Sequence, residues 1–168
     1  MSVTLPVIFI TQSLVDETAR LLATFAEGED SEGVAYWFGI QAGEREIVTT
    51  LVVPDADTSR GHVHTSAAAN AEAMSVMVDT PIVLLGQAHS HPSKRVDHSP
   101  VDDRDTFAQF PGALSVVVPF YGRRGIRLAE CGVYRHIGDE YRRITTARVG
   151  EHVRIIPGFA DFRRGTAH

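Results

Sequence analysis

Cysteine is almost absent: Cys131 stands alone among 168 residues. No internal disulfide can form, which fits a reducing cytoplasm. Apolar runs long enough to span a membrane are lacking. The first residues, Met1 to Pro6, lack the basic region that opens a secretory leader, so no signal peptide is expected. A basic excess is missing too. The formal net charge of −5 argues against a nucleic-acid binder. No internal repeat or low-complexity segment interrupts the chain. What is present, 43% hydrophobic and 22% charged residues, is the composition of one globular domain able to bury an ordinary core. The expectation is a cytoplasmic protein with neither membrane nor nucleic acid as partner.

Patterning predicts a mixed α/β order. Val7 to Ile10 reads as a first strand, and Thr11 or Ser13 can cap a helix running to about Glu27. Leu14, Val15, Leu21, Leu22 and Phe25 would form its apolar face. Residues 34–40 and 47–53 read as paired strands, and 54–65 as a loop. A helix is expected over 66–78. An apolar strand begins at Val83, and a helix starting at Ser99 is broken by Pro111-Gly112. Residues 114–118 and 126–134 read as strands, the latter holding Cys131 as a buried, inert thiol. Gly138-Asp139 signals a hairpin before Tyr141 to Ile144. Residues 1–156 form the domain and 157–168 a loose tail. The basic residues of the C-terminal third (Arg142, Arg143, Arg148, Arg154, Arg163 and Arg164) read as a solvated face, or as a surface for an acidic partner.

The chemistry concentrates at His89-Ser90-His91-Pro92, followed by Ser99-Pro100-Val101-Asp102. On an extended segment His89 and His91 point to one face. Asp102 can add an oxygen ligand from the next element. Two histidines, one carboxylate and an open position form the ligand set of a catalytic zinc. Ser99 and Pro100 suit the cap and first position of a helix, placing Asp102 third. Asp102 is equally explained as a first-turn acid that complements the helix dipole. His62 and His64 have the same spacing as the first pair, with nothing obvious to complete it. Asp97, Asp103 and Asp105 lie nearby but miss the motif spacing. A zinc site also needs a base. Glu32 opens an apolar segment, either as that base or as an exposed strand-entry residue.

Glu32 leading to Gly39, then His-x-His-x7-Ser-x-x-Asp over residues 89–102, resembles the JAMM (MPN-plus, JAB) metalloprotease family. Strands around 111–119 and 132–135 extend the likeness over roughly residues 10–145. The resemblance implies a single MPN/JAB domain, a mixed twisted sheet flanked by helices in the cytidine-deaminase-like manner. It implies one catalytic Zn²⁺ on His89, His91 and Asp102, with Glu32 as general base and Ser99 as donor to the developing oxyanion. The implied activity is isopeptide or peptide cleavage after the C-terminal tail of ubiquitin or a ubiquitin-like protein. The short chain, with little room for a long second insertion, resembles compact prokaryotic members from ubiquitin-like conjugation operons, some acting in antiphage defence. Activating and conjugating enzymes of such an operon would be further partners. Two alternatives use the same framework: a peptidase for Gly-Gly-tailed sulfur-carrier proteins in cofactor or cysteine synthesis, and a non-catalytic MPN scaffold. The scaffold predicts lost ligands, whereas Glu32, His89, His91, Ser99 and Asp102 are all present.

Overall fold

In the computed structural model, residues 5–160 are described. β1 (Val7–Thr11) leads into α1 (Gln12–Thr24), whose first turn is capped by the Thr11 hydroxyl accepting from the Leu14 N–H. β2 (Val34–Ala42) and β3 (Arg45–Val52) form an antiparallel pair. A small hairpin follows, β4 (Asp57–Ser59) and β5 (His62–His64), then α2 (Ala67–Met74) with a 3₁₀ turn over Ser75–Met77. β6 (Val83–Ser90), α3 (Pro100–Asp105) and β7 (Leu114–Val118) carry the motif region. β8 (Gly132–Ile137), β9 (Glu140–Arg143) and β10 (Val153–Ile156) complete the chain.

Eight strands make one mixed sheet in the order β10-β1-β3-β2-β6-β7-β8-β9. β2 and β6 lie at its centre, where both faces are covered, which explains their nearly continuous apolar runs. On one face Ile8, Ile10, Trp37, Leu85, Leu114 and Val116 pack with Val15, Ala19 and Leu22 of α1. The Trp37 indole N–H donates to the Thr18 hydroxyl across that interface at 3.1 Å. On the other face Val34, Tyr36, Phe38 and Leu84 pack with Ala73 of α2 and with Phe107 and Phe110. β6 and β7 run parallel, so the chain between them must cross over, and α3 lies in that crossover.

Three expectations need correction. Residues 54–65 contain the β4–β5 hairpin rather than loop alone; its strands are too short and too polar to show periodicity. Residues 126–131 are not strand. A 3₁₀ turn over Leu128–Glu130, after Gly125 at φ +75°, delays β8 to Gly132. The helix from Ser99 ends at Asp105, well before Pro111. Cys131 is buried, and burial pushes its thiol up to about 12, so it is inert at neutral pH. In the basic C-terminal third, Arg142, Arg143 and Arg148 pair with Glu140, Asp97 and Glu151, the pattern of a solvated face. Residues 157–160 carry no regular structure, and the remainder of the expected tail, with Arg163 and Arg164, lies outside the described residues. Among the described residues no helix is long and apolar enough to cross a membrane.

Candidate metal centre and catalytic groups

The site forms where β2 begins and β6 ends. Val34 pairs with His89 in antiparallel register. Glu32 and His91 each lie two residues beyond that pair and are close enough to feel each other's charge. The join is clasped twice. The Gly33 N–H donates to the Ser90 hydroxyl, and the Ser90 N–H donates to the Gly33 carbonyl, both at 2.9 Å. Glu32 precedes β2 by two residues instead of opening it, and its N–H donates to the Ser59 carbonyl of β4 at 2.9 Å. Only 4% of Glu32 is exposed, which rules out the exposed strand-entry reading. Gly39, which closes the Glu32 segment, is required by packing. A Cβ there would lie 1.9 Å from the Ile47 carbonyl oxygen, at a bulge in the β2–β3 ladder.

His89 is fixed within β6, and His91 just beyond it is anchored by its own N–H donating to the Val118 carbonyl at 2.8 Å. The His91 ring places Nδ1 3.0 Å from the Arg95 carbonyl. A proton on Nδ1 then leaves Nε2 with its lone pair directed into the site. The two Nε2 atoms are 3.2 Å apart. Asp102 completes the triangle, with Oδ1 3.8 Å from His89 Nε2 and Oδ2 3.5 Å from His91 Nε2.

The cap reading of Asp102 is borne out, and it leaves the carboxylate available to a metal. Ser99 and Asp102 form a reciprocal cap: the Ser99 hydroxyl accepts from the Asp102 N–H at 3.1 Å, and the Asp102 carboxylate accepts from the Ser99 N–H at 2.6 Å. Capping fixes the carboxylate without consuming it, because an ionised carboxylate offers about four acceptor sites. The Ser99 hydroxyl likewise accepts from Asp102 while keeping a proton to donate. It can therefore cap α3 and donate to a neighbouring oxyanion.

Electrostatics agree with a cation site. Burial pushes His89 down to about 3, helped by His91, so its imidazole is neutral and can ligate. His89 Nδ1 is a buried atom without a protein partner. Burial disfavours charge on Asp102, but the His91 ring and the Ser99 cap outweigh it and hold the carboxyl well below the usual range. Burial also opposes protonation of His91, yet Asp102 and Glu32 raise its pKa. Burial pushes Glu32 up to about 7, with His91 pulling against it and Asp102 adding to it. Neutral imidazole, a firm carboxylate and three ligand atoms within 4.8 Å of one another suit a divalent metal ion.

One residue of the site was not singled out in the sequence. His98 has Nδ1 2.8 Å from Asp103 and Nε2 3.0 Å from the Ser115 hydroxyl, and its ring stacks on Tyr134 at 3.9 Å. It bolts the loop between His91 and Ser99 to β7 and β8, which positions Asp102. A third histidine beside Ser99, five residues before Asp103, was the available signal.

The fold and this constellation define a mixed α/β protein with a candidate metal site of two imidazoles and one carboxylate. No family model matches the chain. A protein of Sinorhizobium fredii named Probable metalloprotease y4jG is 32% identical over 117 residues, spanning 62% of this chain and 66% of that protein. The chain is thus similar to a probable metalloprotease, and it carries the complete Glu32, His89, His91, Ser99 and Asp102 motif on which its resemblance to the JAMM/MPN family rests. Two solution structures share its fold. A Desulfitobacterium hafniense protein matches with TM-score 0.65 at 18% identity, over 89% of this chain and 93% of its own. A Salinibacter ruber protein matches with TM-score 0.56 at 20% identity, over 95% and 99%. A JAB1/MPN domain protein from Archaeoglobus fulgidus has a TM-score of 0.45 at 14% identity, over 92% and 100%.

Proposed function

We propose that the protein is a zinc-dependent peptidase or isopeptidase that cleaves after the C-terminal tail of ubiquitin or a ubiquitin-like protein. The observation that carries this reading is the convergence of His89, His91 and Asp102 beside the buried Glu32. A zinc ion held by these ligands would supply Lewis acidity toward the scissile carbonyl and toward water. Glu32, with its carboxyl near neutrality, takes the proton of the attacking water and hands it to the departing amine. The Ser99 hydroxyl donates to the carbonyl oxygen as negative charge develops there. Asp102 and His98 hold the start of α3 so that this donor is in place before substrate arrives.

Substrate shape follows from the surroundings. A narrow cleft lined by Val34, Tyr36, Val63 and Phe107 ends at His89 and Asp102. The cleft leaves room for little more than a water molecule, so residues without side chains, such as terminal glycines, suit the approach to it. The test is cleavage by zinc-loaded protein of a panel of fusions: ubiquitin, ubiquitin-like modifiers and Gly-Gly-tailed sulfur carriers, each followed by a reporter. Release of the reporter after the modifier tail is expected. Preference for the sulfur carriers would move the substrate assignment, and inactivity of the zinc-loaded protein on every fusion would overturn it.

A further inference from the structure

The sequence pairs His62 with His64 but offers no third ligand beside them. The fold brings one. Asp105, the last residue of α3, converges on the hairpin so that one ligand atom from each of the three residues lies within 4.8 Å of the others. We propose that His62, His64 and Asp105 form a second divalent-metal site, one that clamps the β4–β5 hairpin to α3.

His62 and His64 are two apart on β5 and so share a face; their rings lie nearly parallel, 10° between planes, with centroids 6.1 Å apart. Among the described residues neither imidazole makes a side-chain hydrogen bond, and neither forms an ion pair with Asp105. The only polar partner of the Asp105 carboxylate there is its neighbour Arg104 at 3.0 Å. Protein–protein bonding therefore does not account for the convergence. Tetrahedral donors about 2.0 Å from an ion lie about 3.3 Å from one another. A small closure of hairpin against helix brings the three groups to that spacing, and the exposed His64 ring is free to adjust. Two imidazoles and one carboxylate select a borderline transition ion such as zinc or cobalt over magnesium or calcium.

The position gives the clamp a consequence. β4 receives the Glu32 N–H through the Ser59 carbonyl, and α3 carries Asp102 at its other end. Val63 and Thr65 on one side, and Val101, Asp102 and Thr106 on the other, line the cleft beside His89. A metal bridging the hairpin to Asp105 fixes the separation of those walls.

Zinc titration of the metal-free 168-residue protein by calorimetry tests the site. Two equivalents are expected for wild type, and one for His62→Ala/His64→Ala or for Asp105→Asn. The catalytic-site pair His89→Ala/His91→Ala should keep one, of weaker affinity. With cobalt, the visible absorption of wild type should contain a component missing from His62→Ala/His64→Ala. Trypsin gives a readout independent of activity, because Arg60 sits exposed at the hairpin tip. The second equivalent should slow cleavage there on the order of tenfold in wild type, with no protection in the hairpin variant. Wild type saturating at one equivalent, or His62→Ala/His64→Ala still taking two, overturns the proposal. If the hairpin variant fails to fold, Asp105→Asn decides by the same count.

Discussion

Glu32 is the residue on which structure and chemistry make opposite demands. A carboxyl buried at the head of β2 gains nothing for stability, since burial pushes it from an ordinary 4.5 up to about 7. The proposed activity needs it there, because a base near neutrality both accepts and releases a proton readily. Replacing it with Gln keeps the volume and removes the base. Zinc content should remain, and turnover should fall on the order of 10²–10⁴-fold. Stability should move the other way in the metal-free protein. Between about pH 4.5 and 7 native Glu32 retains a proton that the unfolded chain has released, so its contribution to stability falls as pH rises through that window. Metal-free Glu32→Gln should therefore melt above wild type at pH 8, with the gap shrinking by pH 4. The histidines are common to both proteins and largely cancel. A gap that stays constant across the range would mean that Glu32 does not titrate as a buried acid.

At the scale of elements, α3 is six residues long and cannot hold itself together by length. Its first turn depends on Ser99 and Asp102 capping each other. Ser99→Ala should cost about 1 kcal/mol of stability and lower turnover on the order of a hundredfold or more. Ser99→Asp should restore the cap but not the activity, because a carboxylate donates no proton and repels a developing oxyanion. Recovery of both together would leave Ser99 as a cap alone; melting and cleavage assays on the two variants separate the outcomes. Much of this region was legible in the sequence. Strand period two put His89 and His91 on one face, and Ser-Pro marked the start of α3, because both signals are local. Glu32 was legible as a candidate only, since its burial depends on a pairing with β6 fifty-odd residues away. The hairpin at 57–64 and the role of Asp105 were not legible. A strand of three residues carries no period, and the distance from Asp105 to His62 is set by how the hairpin folds back over the sheet.

At the scale of the whole molecule, the centre joins segments far apart in the chain: the lead-in to β2, the end of β6 and the start of α3. Without a cation this junction holds two Nε2 atoms 3.2 Å apart, with a firm carboxylate and a raised one beside them. A metal that binds this junction and not the unfolded chain stabilises the whole fold by mass action. At free zinc about a hundredfold above Kd the gain is about 2.7 kcal/mol, a rise in Tm on the order of 5–10 °C for a domain of this size. Chelation of the zinc-loaded protein should reverse it. The measurement belongs in the His62→Ala/His64→Ala background, where only the His89, His91 and Asp102 centre can respond. Adding His89→Ala/His91→Ala to that background should abolish the shift. A zinc-dependent rise in Tm that survives all four substitutions would place the stabilising ion away from both clusters. A centre that binds zinc without raising Tm would show that the three segments are already locked without it, and the metal's part would then be confined to chemistry.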